Sequence, residues 1–335
     1  MRFEEQSLTA HLSFRTKVSL VRTEHVLSAY LGISPTERFR GCLLGLAVGD
    51  AVGTAAEFRQ RGTFEPLTDM VGGGPFNLLP GQWTDDTSMA LCLATSLVEQ
   101  DGFDPADQMS RYCRWADHGY LSSTGTRFDI GTTTVASLRR YQRDGNPYAG
   151  LPNPTLADNG CIMRLAPIPM WFCPHLEMVE RFAADSSRTT HGAQECIDAC
   201  RLFGRIICRA LLGRSKDEVL LGDADSFAAE DSVTAIARGS YRNKEAADIR
   251  GSGYVVHSLE AAVWAFNRTH SFADAILMAA NLGEDADTTA AVCGQLAGAY
   301  YGESGIPSHW LERLVFRSEI TKLADQLRRH TLWVR

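Results

Sequence analysis

Apolar residues recur at spacings of three and four along most of the chain, whereas runs that alternate between apolar and polar residues are few and short. The first pattern is typical of helices and the second of strands. The sequence therefore predicts an all-α fold, and it contains no repeat or long linker that would divide this fold. The stretches with the most regular helical periodicity are residues 87–99, 104–116, 192–212, 255–268 and 289–301.

The N-terminal part of the chain has a different pattern. Apolar residues alternate with polar or basic ones over residues 12–20, which predicts a short extended segment. Further on, Ser34-Pro35-Thr36-Glu37 combines an N-cap residue, a proline in the first turn and a glutamate at the third helical position. We therefore predict an N-terminal extension over residues 1–34 and a single helical domain over residues 35–335.

The composition excludes several classes of partner. A formal net charge of −7 gives no overall positive field that would draw the protein to nucleic acid or to an anionic membrane. No apolar run is expected to span a membrane, and the charged N-terminus lacks the apolar core of a secretion signal. The nine cysteines are odd in number and form no C-x-x-C pair, which indicates reduced core residues. We expect a cytoplasmic protein that binds neither nucleic acid nor membrane.

Glycines recur every four residues in two helical regions. Because glycine is costly inside a helix, such a stripe needs a reason. Two interpretations stay open, namely close packing of another helix and room for a ligand or metal beside Asp50 and Glu57, which lie seven residues apart on one face. The first stripe comprises Gly41, Gly45, Gly49 and Gly53, and the second comprises Gly294, Gly298 and Gly302.

Two acidic clusters stand directly before apolar helices. The first is Trp83-Thr84-Asp85-Asp86-Thr87, and the second is Gly283-Glu284-Asp285-Ala286-Asp287-Thr288-Thr289. A single aspartate in such a position is an ordinary helix cap. Two such helix starts that met in space would gather four carboxylates, whose repulsion in a low-dielectric cleft favours bound cations. The repetition of the same ingredients therefore predicts a metal site.

The chemistry of the donors narrows the choice of metal. Every candidate donor offers a hard oxygen atom, which suits Mg²⁺, Mn²⁺ or Ca²⁺ better than zinc. Neither cluster has the glycine and glutamate positions of an EF-hand, and a helix rather than a loop follows each one. Six donors in two clusters favour two metal ions. The predicted ligands are Thr84, Asp85, Asp86, Asp285, Asp287 and Thr288.

With these motifs in place, residues 38–302 resemble the ADP-ribosylglycohydrolase family, whose members remove ADP-ribose from arginine or cleave other ADP-ribosyl bonds. The resemblance implies an all-α fold with two Mg²⁺ or Mn²⁺ ions, held by the six donors, at the base of a cleft. It also implies that Glu57 lies close by as a ligand or proton carrier, and we expect Asp86 or Glu57 to act as the catalytic carboxylate that transfers protons. The blocks that carry it are Arg40-Gly41 through Gly49-Asp50-Ala51 and Glu57, Trp83 through Thr87, Phe128-Asp129-Ile130-Gly131, Asn159-Gly160 through Met163-Arg164, His191, and Gly283 through Thr288.

The resemblance further implies which loops contact the substrate. Asp129 would face the acceptor, where its carboxylate could pair with a guanidinium through two hydrogen bonds. The alternative role of Asp129, as the cap of a helix that starts near Thr132, stays open. His191 would lie near the substrate, and a purely structural histidine at a helix start is an equal alternative. The predicted substrate-binding residues are Asp129, Gly131, Asn159, Gly160, Met163, Arg164 and His191.

These expectations point to a hydrolase that uses two divalent cations to remove ADP-ribose from ADP-ribosylated protein, with arginine as the favoured acceptor. A relative that acts on another ADP-ribosyl bond is the nearest alternative, and a binding protein without activity is a more distant one. A third hypothesis is an immunity protein whose residues 1–34 occlude a cognate ADP-ribosyltransferase toxin. A structural arm packed on its own domain would explain the same segment.

Overall fold

The computed structural model describes residues 32–222 and 224–333, whose regular structure is helical apart from two isolated β-bridges. The predicted all-α fold is therefore confirmed for these residues. The helices within these ranges, numbered in chain order, are α1 Pro35–Gly53, α2 Asp85–Glu99, α3 Pro105–His118, α4 Thr132–Asp144, α5 Pro167–Phe172, α6 Leu176–Thr190, α7 Gln194–Leu211, α8 Lys216–Leu221, α9 Asp231–Ala237, α10 Val255–Arg268, α11 Phe272–Ala280, α12 Ala286–Tyr301, α13 Ser308–Arg313 and α14 Arg317–Trp333.

Local sequence signals explain where several of these helices begin. At α1 the predicted capping box forms, because Glu37 N–H donates to Ser34 Oγ at 3.3 Å and Ser34 N–H donates to Glu37 Oε2 at 2.9 Å. Asp104 caps α3 by accepting the backbone N–H groups of Ala106 and Asp107. The five long helices predicted from periodicity all form, with ends that agree to within one helical turn.

The two glycine stripes face each other between α1 and α12. A Cβ atom built on Gly45 would lie 2.4 Å from the carbonyl oxygen of Gly294, and one built on Gly294 would lie 2.0 Å from that of Gly45. These distances leave no space for a side chain, so the glycines serve close helix packing and the ligand interpretation is wrong for them. We call this contact the glycine seam. Its facing pairs are Gly41 with Gly298, Gly45 with Gly294, Gly49 with Ala290 and Gly53 with Ala286.

The glycine seam determines where the two acidic clusters lie. The pairs run in opposite order along the two helices, so the C-terminal end of α1 lies against the start of α12. There a Cβ atom on Gly53 would be only 2.5 Å from the Cα atom of Asp287. Asp50, in the last turn of α1, accepts the backbone N–H of Thr84 just before α2. Both acidic helix starts are thus held at one end of the seam.

The buried core surrounds α1 and contains most of the cysteines. By length and composition Pro35–Ala56 is apolar enough to cross a membrane, but 89% of the apolar window is buried inside the protein. The expectation that no apolar run approaches a membrane span is therefore wrong for α1, whose apolar length serves the core. Eight of the nine cysteines are buried, which confirms their prediction as core residues, and no disulfide joins cysteines in the described part of the chain.

The structure tests almost nothing of what was predicted for the N-terminal extension. The extended segment and the toxin-occluding role both fall on residues that lie outside the described ones, apart from residues 32–34. A Cβ atom on Gly302 would lie 2.7 Å from Cγ2 of Ile33, so the chain packs against the end of α12 just before α1 begins. The boundary at residue 34 stays a prediction.

We predict that Gly45→Ala destabilises the whole fold. The new Cβ atom would collide with the backbone of α12, and overpacking of this kind lowers the free energy of unfolding by about 2–3 kcal/mol. Urea denaturation measures the change. Gly204→Ala in α7 is the control, because its nearest neighbours are the side-chain methyl groups of Val179 and Ala183 at 3.1 and 3.4 Å. Equal stability of the two variants would contradict the role given to the seam.

Candidate functional site

The start of α2 is capped by a residue of α1. The fully buried carboxylate of Asp50 accepts the backbone N–H of Thr84 at 2.9 Å and that of Thr87 at 3.1 Å. The Thr87 hydroxyl also donates to Asp50, at 2.6 Å. Burial raises the pKa of Asp50 to about 6, and the hydrogen bonds from Thr87 and Thr84 oppose that rise. Asp50 therefore anchors α2 to α1 at the first acidic cluster.

Because Asp50 caps α2, the carboxylates of Asp85 and Asp86 are not needed as helix caps and are available to bind a cation. Thr84 occupies the N-cap position of α2 without a side-chain hydrogen bond to the helix amides. Asp85 and Asp86 are buried, and Asp86 Oδ1 has no hydrogen-bond partner. A buried, unpartnered carboxylate oxygen is costly unless a cation binds it. Ordinary capping therefore does not account for these two aspartates.

The two acidic helix starts meet, as the sequence predicts. Thr84 Oγ1 lies 3.3 Å from Asp287 Oδ2, and Thr288 Oγ1 lies 3.3 Å from Asp86 Oδ2. All four side chains are buried. The contacts join residues that are 203 and 202 positions apart in the chain. The fold thus brings hydroxyl and carboxylate oxygens from α2 and α12 to one place.

Asn159 orients the remaining aspartate, Asp285. The Asn159 side-chain amide donates to Asp285 Oδ2 at 2.6 Å and to Ser258 Oγ at 2.8 Å. Asp285 occupies the N-cap position of α12, and its own backbone N–H donates to the carbonyl of Gly251 at 2.7 Å. Asn159 was predicted to bind substrate, and the contact that the structure shows is with a predicted metal ligand.

Glu57 and Asp129 complete the carboxylate cluster. Carboxylate oxygens of Glu57, Asp129 and Asp287 all lie within 4.8 Å of one another. Asp129 has a left-handed φ of 55°, and α4 begins at Thr132 with Gly131 as its N-cap residue and no side-chain cap. Asp129 is therefore not the cap of α4, which was its alternative interpretation, and it lies among the carboxylates.

Two backbone hydrogen bonds lock the loop of Glu57 to the loop before α12. Phe58 N–H donates to the carbonyl of Glu284 at 2.6 Å, and Glu284 N–H donates to the carbonyl of Arg59 at 2.7 Å. Phe58 and Glu284 both have left-handed backbones, with φ of 59° and 57°. We call this pair of bonds the loop clasp. It fixes Glu57 relative to Asp285, which directly follows Glu284.

These residues surround a cleft of about 310 Å³, at the lower end of the range for small-molecule sites. Six of the residues that line it carry carboxylates, and none is a lysine or arginine. The lining itself therefore offers nothing that neutralises the negative charge. The cleft is lined by Glu57, Phe58, Asp85, Asp129, Ile130, Gly131, Thr132, Thr134, Asp158, Asn159, Gly160, Met163, Gly253, Asp285, Asp287 and Thr288.

Burial and mutual repulsion both disfavour the ionised state of the cluster. Burial raises the pKa of Asp86 well above its usual value, and the carboxylates of Asp50 and Asp285 raise it further. Burial also raises the pKa of Asp287, with Glu57 as the next cause. Glu57, Asp86 and Asp287 each have one buried oxygen without a hydrogen-bond partner. Hard oxygens in this state fit a divalent cation, which would remove both penalties.

Two predicted substrate residues lie behind the wall of the cleft. His191 has a fully buried side chain, whose Nε2 lies 3.6 Å from Asp158 Oδ2 and whose Nδ1 lies 2.7 Å from Thr190 Oγ1. The fully buried Arg164 donates to Thr190 Oγ1 at 2.6 Å, and its guanidinium lies 4.7 Å from the centre of the Tyr112 ring. The prediction of direct substrate contact is corrected for both residues, because they support the wall from the inside.

The other predicted substrate residues lie on the cleft lining, including Gly131, Gly160 and Met163. A Cβ atom on Gly160 would be 2.8 Å from Cε1 of His191, so only a glycine lets the chain pass directly over this histidine. This contact explains why Gly160 and His191, which are distant in sequence, both belong to the blocks that carry the resemblance. Contact of these residues with substrate stays a prediction.

Asp158 is a cleft residue that the sequence reasoning missed. Its carboxylate lines the cleft, with Oδ1 buried and unpartnered. Burial would raise the pKa of Asp158, but the neighbouring His191 and Thr133 outweigh that effect and the pKa is lowered. Asp158 is therefore an ionised group of the wall. Its position directly before Asn159-Gly160 is the signal that could have identified it.

Fold and cleft together define an all-α enzyme with an acidic site suited to divalent cations. Comparison with known proteins identifies the class more closely, since the model of the ADP-ribosylglycohydrolase family matches residues 32–334. The chain belongs to this family. It is a glycosyl hydrolase that acts on ADP-ribosyl bonds.

Similar proteins cover most of the chain. ADP-ribosylarginine hydrolase Tri1 of Pseudomonas putida (strain GB-1) is 45% identical over 291 residues, which are 87% of this chain and 78% of that protein. ADP-ribosyl-[dinitrogen reductase] glycohydrolase of Rhodospirillum rubrum is 32% identical over 302 residues, 88% of this chain and 97% of that one. A solved chain of an ADP-ribosylglycohydrolase-related protein complex, 41% identical, matches with a TM-score of 0.80 and covers 89% of this chain and 99% of itself. These similarities support the hydrolase prediction and not the immunity hypothesis.

We predict that Asp50→Ala loosens the start of α2. The substitution leaves the buried N–H groups of Thr84 and Thr87 without an acceptor, which lowers the free energy of unfolding by about 2–3 kcal/mol. Urea denaturation in saturating Mg²⁺ measures the loss while limiting carboxylate repulsion. Thr87→Val, which removes only one hydroxyl donor, should cost about 1 kcal/mol. Wild-type stability of Asp50→Ala would show that Asp50 is not the cap.

Proposed function

We propose that this enzyme removes ADP-ribose from arginine side chains of modified proteins, and that it uses two divalent cations, Mg²⁺ or Mn²⁺. The observation that carries the proposal is a cleft lined by six carboxylates and by no lysine or arginine. Such a cleft suits metal cations and a guanidinium alike. The relative from Pseudomonas putida, whose name states an ADP-ribosylarginine substrate, supports the same acceptor.

The two acidic helix starts supply the ligands that we assign to the cations. Oxygens of Thr84 and Asp86 from α2 lie beside those of Asp287 and Thr288 from α12. When bound, the cations would neutralise the carboxylates, orient ribose hydroxyls and activate water. Hard oxygen donors favour Mg²⁺ or Mn²⁺ over zinc. The six assigned ligands are Thr84, Asp85, Asp86, Asp285, Asp287 and Thr288.

We assign proton transfer to Glu57. The two predicted catalytic carboxylates differ in position, because Glu57 lines the cleft with an unpartnered Oε2 whereas Asp86 is absent from the lining and contacts Thr288. Cleavage of a ribosyl bond passes through a transition state with oxocarbenium character. It needs a base for the attacking water and a proton for the leaving guanidine. Burial raises the pKa of Glu57 to about 10, so its carboxyl can give a proton to the leaving guanidine as the ribosyl bond breaks and then take one from the attacking water.

Asp129 and Asp158 favour a cationic acceptor. Both carboxylates line the cleft, and the neighbouring His191 helps to keep the pKa of Asp158 low. A guanidinium presents five N–H donors in a planar fork that matches carboxylate oxygens. A neutral serine acceptor would leave such oxygens without a partner, which is costly in a partly buried site. The lining therefore selects arginine over a neutral acceptor.

We predict that two substitutions separate metal binding from proton transfer. Asp287→Asn removes an assigned ligand, so it should lose both the rise in melting temperature caused by Mg²⁺ or Mn²⁺ and the release of ADP-ribose from an arginine-modified protein. Glu57→Gln should keep most of that rise but lower kcat by about 10²- to 10⁴-fold, the usual contribution of general acid–base catalysis. Thermal unfolding and ADP-ribose release measure the two effects.

The matched control is Asp217→Asn in α8. Asp217 is exposed over 74% of its side chain, pairs with Arg242 and is not part of the cleft lining. This variant should behave as the wild type in both assays. Full activity of Asp287→Asn would contradict the ligand assignment. An equal loss of metal stabilisation in Glu57→Gln would make Glu57 a ligand instead of the proton carrier.

A further inference from the structure

Phe58 is an aromatic residue at the mouth of the cleft. The residue belongs to the lining of the cleft, yet it is 68% exposed, more than any other large hydrophobic residue in the described part of the chain. A single exposed apolar side chain is not unusual on a protein surface. Phe58 differs because its exposure coincides with a strained backbone and with an acidic setting.

The backbone of Phe58 is held in a conformation that a bulky residue rarely adopts. Its φ of 59° lies in the left-handed region, which costs about 1–3 kcal/mol for a residue other than glycine. The loop clasp maintains it, through the hydrogen bonds of Phe58 with Glu284 and of Glu284 with Arg59. Strain of this kind persists where the surrounding structure imposes it, and it is most frequent at ligand sites. Here it belongs to a residue that lines the cleft and is exposed instead of buried in the core.

Phe58 shares the lining of the cleft with six carboxylates. Glu57 precedes Phe58 in the chain, and an oxygen of Asp129 lies within 4.8 Å of a Glu57 oxygen. The face of an aromatic ring carries partial negative charge and attracts a flat cation, whose N–H groups can reach neighbouring carboxylates. We propose that Phe58 is a specificity-determining residue that stacks on the guanidinium of the arginine acceptor. This inference rests on the proposed function.

The adenine base of ADP-ribose is the competing partner for the ring, and the chemistry of the substrate argues against it. The acceptor is attached to the anomeric carbon of one ribose, whereas adenine is separated from that carbon by two riboses and a diphosphate. Phe58 directly follows Glu57, the residue assigned to the proton of the leaving group. With that assignment of Glu57, we place the ring at the acceptor end of the substrate. Adenine is also neutral and would gain little from the carboxylates beside the ring.

Steady-state kinetics of Phe58→Leu and Phe58→Trp test the inference with an arginine-linked ADP-ribosyl substrate. Leucine keeps an apolar side chain but has no ring, so KM should rise about threefold to tenfold while kcat stays unchanged, since the contact exists in the ground state and the transition state alike. Tryptophan gives the strongest cation–π contact, so its KM should match the wild type or fall below it. The inhibition constant of free ADP-ribose should stay unchanged in both variants.

Leu79→Ala is the matched control, because Leu79 is 67% exposed and lies outside the cleft lining. Its KM should equal that of the wild type. An unchanged KM for Phe58→Leu would overturn the inference, and an ADP-ribose inhibition constant that rises in step with KM would replace it with adenine stacking. If the wild type itself releases no ADP-ribose from the arginine-linked substrate, the proposed function fails before any variant is compared.

Discussion

The backbone contact between α1 and α12 is the constraint on which the acidic centre depends. Only residues without a side chain allow the two backbones to come this close. A Cβ atom built on Gly294 would lie 2.0 Å from the carbonyl oxygen of Gly45, which is a steric clash. Because helices are rigid, a contact that extends along the seam fixes the register of one helix on the other. It places Asp50 and Asp287, at opposite ends of the chain, at one end of the seam. A slip of one helical turn, about 5.4 Å, would separate them.

The seam alone would place two negatively charged helix starts side by side, an arrangement that electrostatic repulsion opposes. Local hydrogen bonds hold the groups in place. Asp50 caps α2, the amide of Asn159 orients Asp285, and the loop clasp fixes the loop of Glu57. Oxygens that would otherwise serve as caps are thereby left without partners, as at Asp86 Oδ1. The site is preorganised for cations at the expense of stability in their absence.

Helix positions, and the meeting of the two acidic clusters, could be predicted because each depends on a repeated local pattern. The role of Gly45 could not, since close packing and room for a ligand require the same glycine spacing. Arg164 and His191 belong to the motifs, but the sequence does not say whether a side chain points into a cleft or supports it from behind. Asp129 was ambiguous for a similar reason, because only the folded chain shows that Gly131 occupies the N-cap position of α4. Asp50 caps α2 although it belongs to another helix, and no local sequence pattern predicts such a contact between distant residues.

The glycine seam, as we interpret it, joins two acidic helix starts into one cation-dependent active site. The most direct test of this interpretation is to measure Mn²⁺ binding by equilibrium dialysis and ADP-ribose release from an arginine-modified protein in the same samples. We expect two Mn²⁺ ions bound per chain and a release rate that follows their occupancy and stops with a chelator. Release at the full rate in chelator, or a wild-type chain that binds no Mn²⁺, would contradict it.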